Sequence, residues 1–161
     1  MGDHEVTGPL LEALGYTILV RKTNLRPGRP LLFAAREGAV AFGLPGNPVS
    51  HFVCCHLYVA AALHRLSGQA PSDLFVRAGL TRSLDQEPHP RESILPARLS
   101  WEQDRLMTEP IDWRSSGDVT ALARVEAFLR LPPGVGTLPA GARVNVLPFV
   151  WPGSDRGTRV S

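Results

Sequence analysis

Three short segments carry residue types suited to gripping an oxyanion. Asp3 and Glu5 flank His4 at the start of the first expected helix. Carboxylates there would hold Mg²⁺ beside a phosphate, or would serve as ordinary caps on the helix dipole. Arg26-Pro27-Gly28-Arg29-Pro30 is a rigid loop with two guanidinium groups. Their planar forks match an oxyanion, although a solvated basic loop has the same composition. The third segment, GLPGNPVS, spans 43–50. Pro48 suits the first helical position and Asn47 suits the cap, accepting from the amide of Val49 or Ser50. The amides of Gly46, Asn47, Val49 and Ser50 would then face outward at the positive end of a helix, a good seat for phosphate. Gly46 lets a ligand approach the backbone closely. A plain strand-to-helix turn explains the same residues, and spacing alone leaves both readings open.

The elements that must position these segments follow from periodicity and punctuation. Asp3 caps a helix running to Leu14, with Leu10, Leu11 and Leu14 on its apolar face and Gly15 after its end. YTILV (16–20) reads as a buried strand, and LLFAA (31–35) and AVAF (39–42) as two strands joined by a tight turn. A helix from Pro48 to Leu66 follows, ended by Ser67-Gly68. Helix, three strands, helix is an α/β pattern. It is short for one, so the sheet is expected to be incomplete and to leave the apolar strand YTILV at an open edge that invites pairing.

After GQAPSD (68–73) the texture changes. LFVRAGL (74–80), SILPARLS (93–100), RLMTEPI (105–111), VEAFLRL (125–131) and ARVNVLPF (142–149) are short strand candidates between Pro- and Gly-bearing turns. They predict a small all-β barrel or sandwich. DVTALAR (118–124) reads as one helical turn. The expected organisation is an α/β portion over 1–70, a β-barrel domain over 71–150 and a disordered tail over 151–161.

Composition excludes several function classes. The chain has 161 residues with 17 Lys and Arg against 15 Asp and Glu. The arginines are scattered, so nucleic acid is not an expected partner. No apolar run is long enough to span a membrane, and the acidic start MGDHEV is no signal peptide. The two cysteines, Cys54 and Cys55, are adjacent. They cannot form a disulfide framework, which favours a reducing, cytoplasmic setting, and they read as small core residues. His51, His56 and His64 are too widely spaced for a tight zinc pair, and His89 reads as structural. Trp101, Trp113 and Trp151 read as barrel and rim packing.

MGDHE, RPGRP and GLPGNPVS, in that order and spacing, resemble the molybdopterin molybdotransferase family, the MoeA type that includes the E domain of gephyrin. PRESILPARL (90–99), SSGDVTALAR (115–124), LRLPPG (129–134) and LPAGARVNVLPF (138–149) resemble that family's C-terminal β-barrel. The resemblance implies molybdenum cofactor biosynthesis, with molybdate inserted into adenylylated molybdopterin and Mg²⁺ involved. It implies that Glu5, supported by Asp3, places the metal or the reacting phosphate. It implies that Arg26 and Arg29 attract molybdate or the terminal phosphate across the Pro27-Gly28 turn. Pro45, Gly46, Asn47, Pro48 and Ser50 would shape the pocket for molybdate and pterin phosphate. Glu5, the two arginines, Leu31 and Glu126-Ala127 depart from the family's usual aspartate, lysine, threonine and Asn-Gly.

The resemblance covers only a C-terminal portion of such a protein, beginning inside the first motif. The chain is therefore expected to have little molybdate-insertion activity by itself, and to act as a homodimer or with a partner chain supplying the other wall of the site. The alternative is a non-catalytic binding or scaffold module derived from that family.

Overall fold

The computed structural model describes residues 4–69, 74–112 and 122–152. The chain opens with helix α1 (His4–Ala13) and ends it at Gly15, which takes φ +80°. Strands β1 (Thr17–Val20), β3 (Leu32–Arg36) and β4 (Ala39–Gly43) form a three-stranded antiparallel sheet in the order β1-β3-β4. The turn from β3 to β4 passes through Gly38 at φ +70°, a conformation that favours glycine. Between β1 and β3, the two-residue strand β2 (Leu25–Arg26) leaves this sheet altogether.

The expected long helix is present, but it is not uniform. α2 (Pro48–Cys54) passes through one π-helical turn, Cys55–Val59, into α3 (Ala60–Leu66). No described helix is long and apolar enough to cross a membrane.

The second half closes a five-stranded barrel. Its strands are β5 (Val76–Leu80), β6 (Glu92–Glu102), β7 (Arg105–Pro110), β8 (Ala127–Leu131) and β9 (Arg143–Pro148). They run β6-β7-β5-β9-β8, and β8 returns to β6. The length of β6 makes closure possible, because Ser93–Ala97 pair with β8 while Ala97–Glu102 pair with β7. All pairs are antiparallel except β5 with β7. Closure removes the open edges a small sheet would otherwise expose.

Alternation along the strands builds two cores rather than one. Leu95, Ala97, Leu129, Val144 and Val146 fill the barrel interior. Their neighbours Ile94, Phe128 and Leu147 face outward and are buried just as completely, packed against Val53 of α2 and Leu25 of β2. This is why β6 and β8 read as nearly continuous apolar runs: both of their faces are covered. β2 adds a second tie, pairing in parallel with the start of β6 at Glu92 and Ser93.

Three expectations need correction or limits. YTILV is not a buried strand, since Leu19 is 58% exposed. β1 pairs only with β3, so its other edge meets no described strand. The α/β expectation reduces to a small antiparallel sheet with α1 packed on it and a helix that leans on the barrel. The DVTALAR turn falls mostly outside the described residues, as does the tail from 153.

Candidate functional site

The helix start at Asn47 forms as its residue types require. Asn47 stands in extended backbone with Pro48 at the first helical position, and its side-chain oxygen accepts from both Val49 N (3.2 Å) and Ser50 N (3.1 Å). Its own carbonyl accepts from His51 N at 2.8 Å. This corrects part of the sequence expectation. Two of the four amides expected to face outward are already satisfied by the cap. Ser50 is 7% exposed and Pro45 is fully buried, so both shape the turn from beneath. Gly46 and Pro48 are exposed and Asn47 is half-buried, leaving these three at the surface.

The basic loop is fastened to the same helix. Gly28 takes φ +115°, and a methyl group there would lie 3.1 Å from Cys54 Sγ. The Cys54 thiol points at the Gly28 carbonyl at 3.6 Å, and the Thr23 hydroxyl donates to that carbonyl at 2.8 Å. Thr23 N and Leu31 N both donate to the Arg29 carbonyl at 2.9 Å. The peptide between Arg26 and Pro27 is cis, and Pro27 is half-buried while Arg26, Arg29 and Pro30 are exposed. Neither guanidinium has an ion-pair partner among the described residues. Leu31, at the position where the resembled family usually has threonine, is 2% exposed and belongs to the core.

Burial pushes the Cys54 thiol up to about 12, with the neighbouring Cys55 adding to the shift. Cys54 is thus a protonated structural wedge and not a nucleophile. The sequence reading as a small core residue holds, but the contact with Gly28 had no local signal, since it spans 26 residues. Burial also raises the Tyr58 hydroxyl, helped by Cys54 and Glu92 and opposed by a side-chain hydrogen bond with Thr23 and by Arg130. Tyr58 lies in the π-helical turn and borders a cavity of about 440 Å³ lined also by Lys22, Leu31, Phe33 and Phe42. This cavity opens beside the basic loop and is mainly apolar.

The acidic segment is only partly placed. Asp3 lies outside the described residues, and the side chain of Glu5 is not described. The helix that carries Glu5 does approach the third segment: a methyl group on Gly43 would lie 3.4 Å from Thr7 Cγ2 and 3.1 Å from Leu32 Cβ. Among the described residues no group of three His, Cys, Asp or Glu side chains is placed to hold a metal ion.

Several remaining readings find their place. His56 joins an aromatic cluster with Phe52, Phe128 and Phe149, its Nδ1 2.9 Å from the Phe52 carbonyl. His89 accepts from Arg91 N at 3.0 Å, a turn role. Glu126 accepts from Leu99 N at 3.0 Å, so this departure from the family pattern serves the barrel.

Known proteins resemble this chain in sequence and fold. Residues 77–149 match the family model described as the MoeA C-terminal region, domain IV. Over its barrel, this chain is similar to that C-terminal region of MoeA proteins. A molybdopterin molybdenumtransferase of Bacillus subtilis is 30% identical over 148 residues, covering 91% of this chain and 34% of that protein. The MoeA relatives thus extend well beyond the stretch matched here. The molybdenum cofactor synthesis protein cinnamon of Drosophila melanogaster is 43% identical over 68 residues, covering 42% of this chain and 11% of its own length. A solved molybdopterin biosynthesis moea protein from Pyrococcus horikosii aligns with a TM-score of 0.70 at 28% identity, covering 91% of this chain and 35% of that one.

Proposed function

We propose that these residues act in molybdenum cofactor biosynthesis, as the part of a molybdopterin molybdenumtransferase that grips the anionic groups of its substrates, molybdate and adenylylated molybdopterin. One observation carries the reading most directly. The RPGRP loop is fastened to the capped helix through Gly28 and Cys54, in a chain aligned over nine-tenths of its length with such enzymes.

In this reading Arg26 and Arg29 draw in molybdate or a terminal phosphate through charge-assisted hydrogen bonds. Gly46, Asn47 and Pro48 form the wall that the bound anion meets at the positive end of α2. Pro45 and Ser50 hold that wall from beneath, and Pro27 and Gly28 set the direction of the two guanidinium groups. Asp3 and Glu5 are proposed to hold Mg²⁺, which would neutralise phosphate charge. The small sheet, α1 and the long helix are read as part of a three-layer α/β domain. The second wall would come from another stretch of polypeptide, as a homodimer or a partner chain, in a cytoplasmic setting.

The test supplies the region of the Bacillus subtilis relative not matched here as a separate polypeptide. Molybdate insertion is expected from the mixture and not from the 161-residue chain alone. Arg26→Ala with Arg29→Ala should lower the rate by about tenfold or more, the loss expected for charge-assisted contacts to an oxyanion. A mixture that assembles but stays inactive, with molybdopterin binding retained, would instead favour a non-catalytic binding module. Insertion by the chain alone would sink the proposed division of the site.

A further inference from the structure

The outer face of β5, β7 and β9 carries a second cavity, of about 710 Å³, lined by none of the three motif segments. Its floor is Gly79, which sits between Arg143 of β9 and Met107 of β7 in the strand register. A methyl group on Gly79 would lie 3.0 Å from Met107 Sδ, so a side chain there would crowd the floor unless Met107 shifted. Three guanidinium groups surround it, those of Arg77, Arg105 and Arg143, against the single carboxylate of Asp104. Arg77 donates to Asn145 Oδ1 at 3.2 Å. Arg105 and Arg143 have no ion-pair partner among the described residues. The rim bears two indoles, Trp101 (54% exposed) and Trp151 (46% exposed), both lining the cavity.

We propose that this hollow binds a planar aromatic anion of nucleoside monophosphate size, its ring against the indoles and its phosphate on Arg105 and Arg143. The volume lies within the range of roughly 300–1,000 Å³ usual for small-molecule sites. Indole faces stack on aromatic rings, and guanidinium forks grip phosphate oxygens in pairs. Three cations against one carboxylate suit a doubly charged phosphate better than a singly charged carboxylate. A long nucleic acid is disfavoured, because the cations are confined to one hollow and the chain's formal charge is only +2. This site does not depend on the molybdate reading, since the two share no residue.

The test is a titration of the ¹⁵N-labelled full chain, following indole N–H signals assigned with Trp→Phe variants. Adenosine 5′-monophosphate is expected to shift the Trp101 and Trp151 signals saturably, with ribose 5-phosphate and adenosine each binding at least about tenfold more weakly, as loss of stacking or of the charged contact requires. Arg105→Glu with Arg143→Glu should weaken the nucleotide by about tenfold or more while the remaining amide spectrum stays folded. Three results overturn the proposal: no saturable shift, equal affinity for ribose 5-phosphate, or unchanged affinity in the double variant. Much tighter binding of an oligonucleotide, with shifts spreading beyond the hollow, would also overturn it in favour of a strand-binding surface.

Discussion

Asn47 satisfies two backbone donors with one side-chain oxygen, and those donors begin a helix whose next turn holds Gly28 in place. Removing that oxygen leaves the Val49 and Ser50 amides without their acceptor. Asn47→Ala should therefore lower stability by about 1 kcal/mol, within the ~0.5–2 kcal/mol known for caps, measured by urea denaturation. An unchanged midpoint would mean that water or a neighbour replaces the cap. Cys54 yields a pH prediction at the same scale. Its folded thiol ionises at about 12 and its unfolded one near 9.0, so the folded state holds the extra proton between those values. Stability should be insensitive to this group below pH 9.0 and should fall as pH rises from there toward about 12. Tyr58, also shifted upward by burial, acts in the same direction from pH 10.0. Cys54→Ala should flatten part of that fall; a fall of the same steepness would assign it to other groups.

At the scale of elements, β1 is the least protected strand. It is paired on one side only, and Leu19 and Val20 are 58% and 36% exposed. An apolar edge of this kind templates pairing with another chain. Concentration-dependent light scattering of the 161-residue chain should show self-association, and Leu19→Lys should reduce it without changing the circular dichroism spectrum. A monodisperse monomer at high concentration would refute this. The sequence revealed that the strand exists and is apolar, but its alternation could not say whether either face is covered. Likewise the spacing of the long helix marked both its ends and gave no sign of the π-helical turn that carries His56 and Tyr58.

For the whole molecule, the junction between helix and barrel decides cooperativity. Phe128 is fully buried and meets Phe52 and Phe149 at ring separations of 5.6 and 5.2 Å. Phe128→Ala would empty that junction, at a cost of about 3–5 kcal/mol. Fluorescence and far-ultraviolet dichroism should then lose stability together, because the same ring holds both parts. Two separated transitions, with the barrel unaffected, would show that the junction is energetically minor. The barrel itself was legible in advance, since short strands between Pro- and Gly-bearing turns leave few other architectures. That Leu25 from the first half would pair its strand with β6 was not, because two residues carry no periodicity.

The sequence by itself determined the local rules of this protein: that Asn47 caps, where the long helix starts and stops, and which short segments supply the barrel strands. Those features depend on residues within a few positions of one another, where side-chain type and spacing act directly. Only the tertiary structure decided that the basic loop is fastened to α2 by Cys54, and that Gly79 lies in a hollow ringed by arginines and indoles. Each of these joins residues far apart in the chain, and such contacts are selected by how the strands close and which faces they bury.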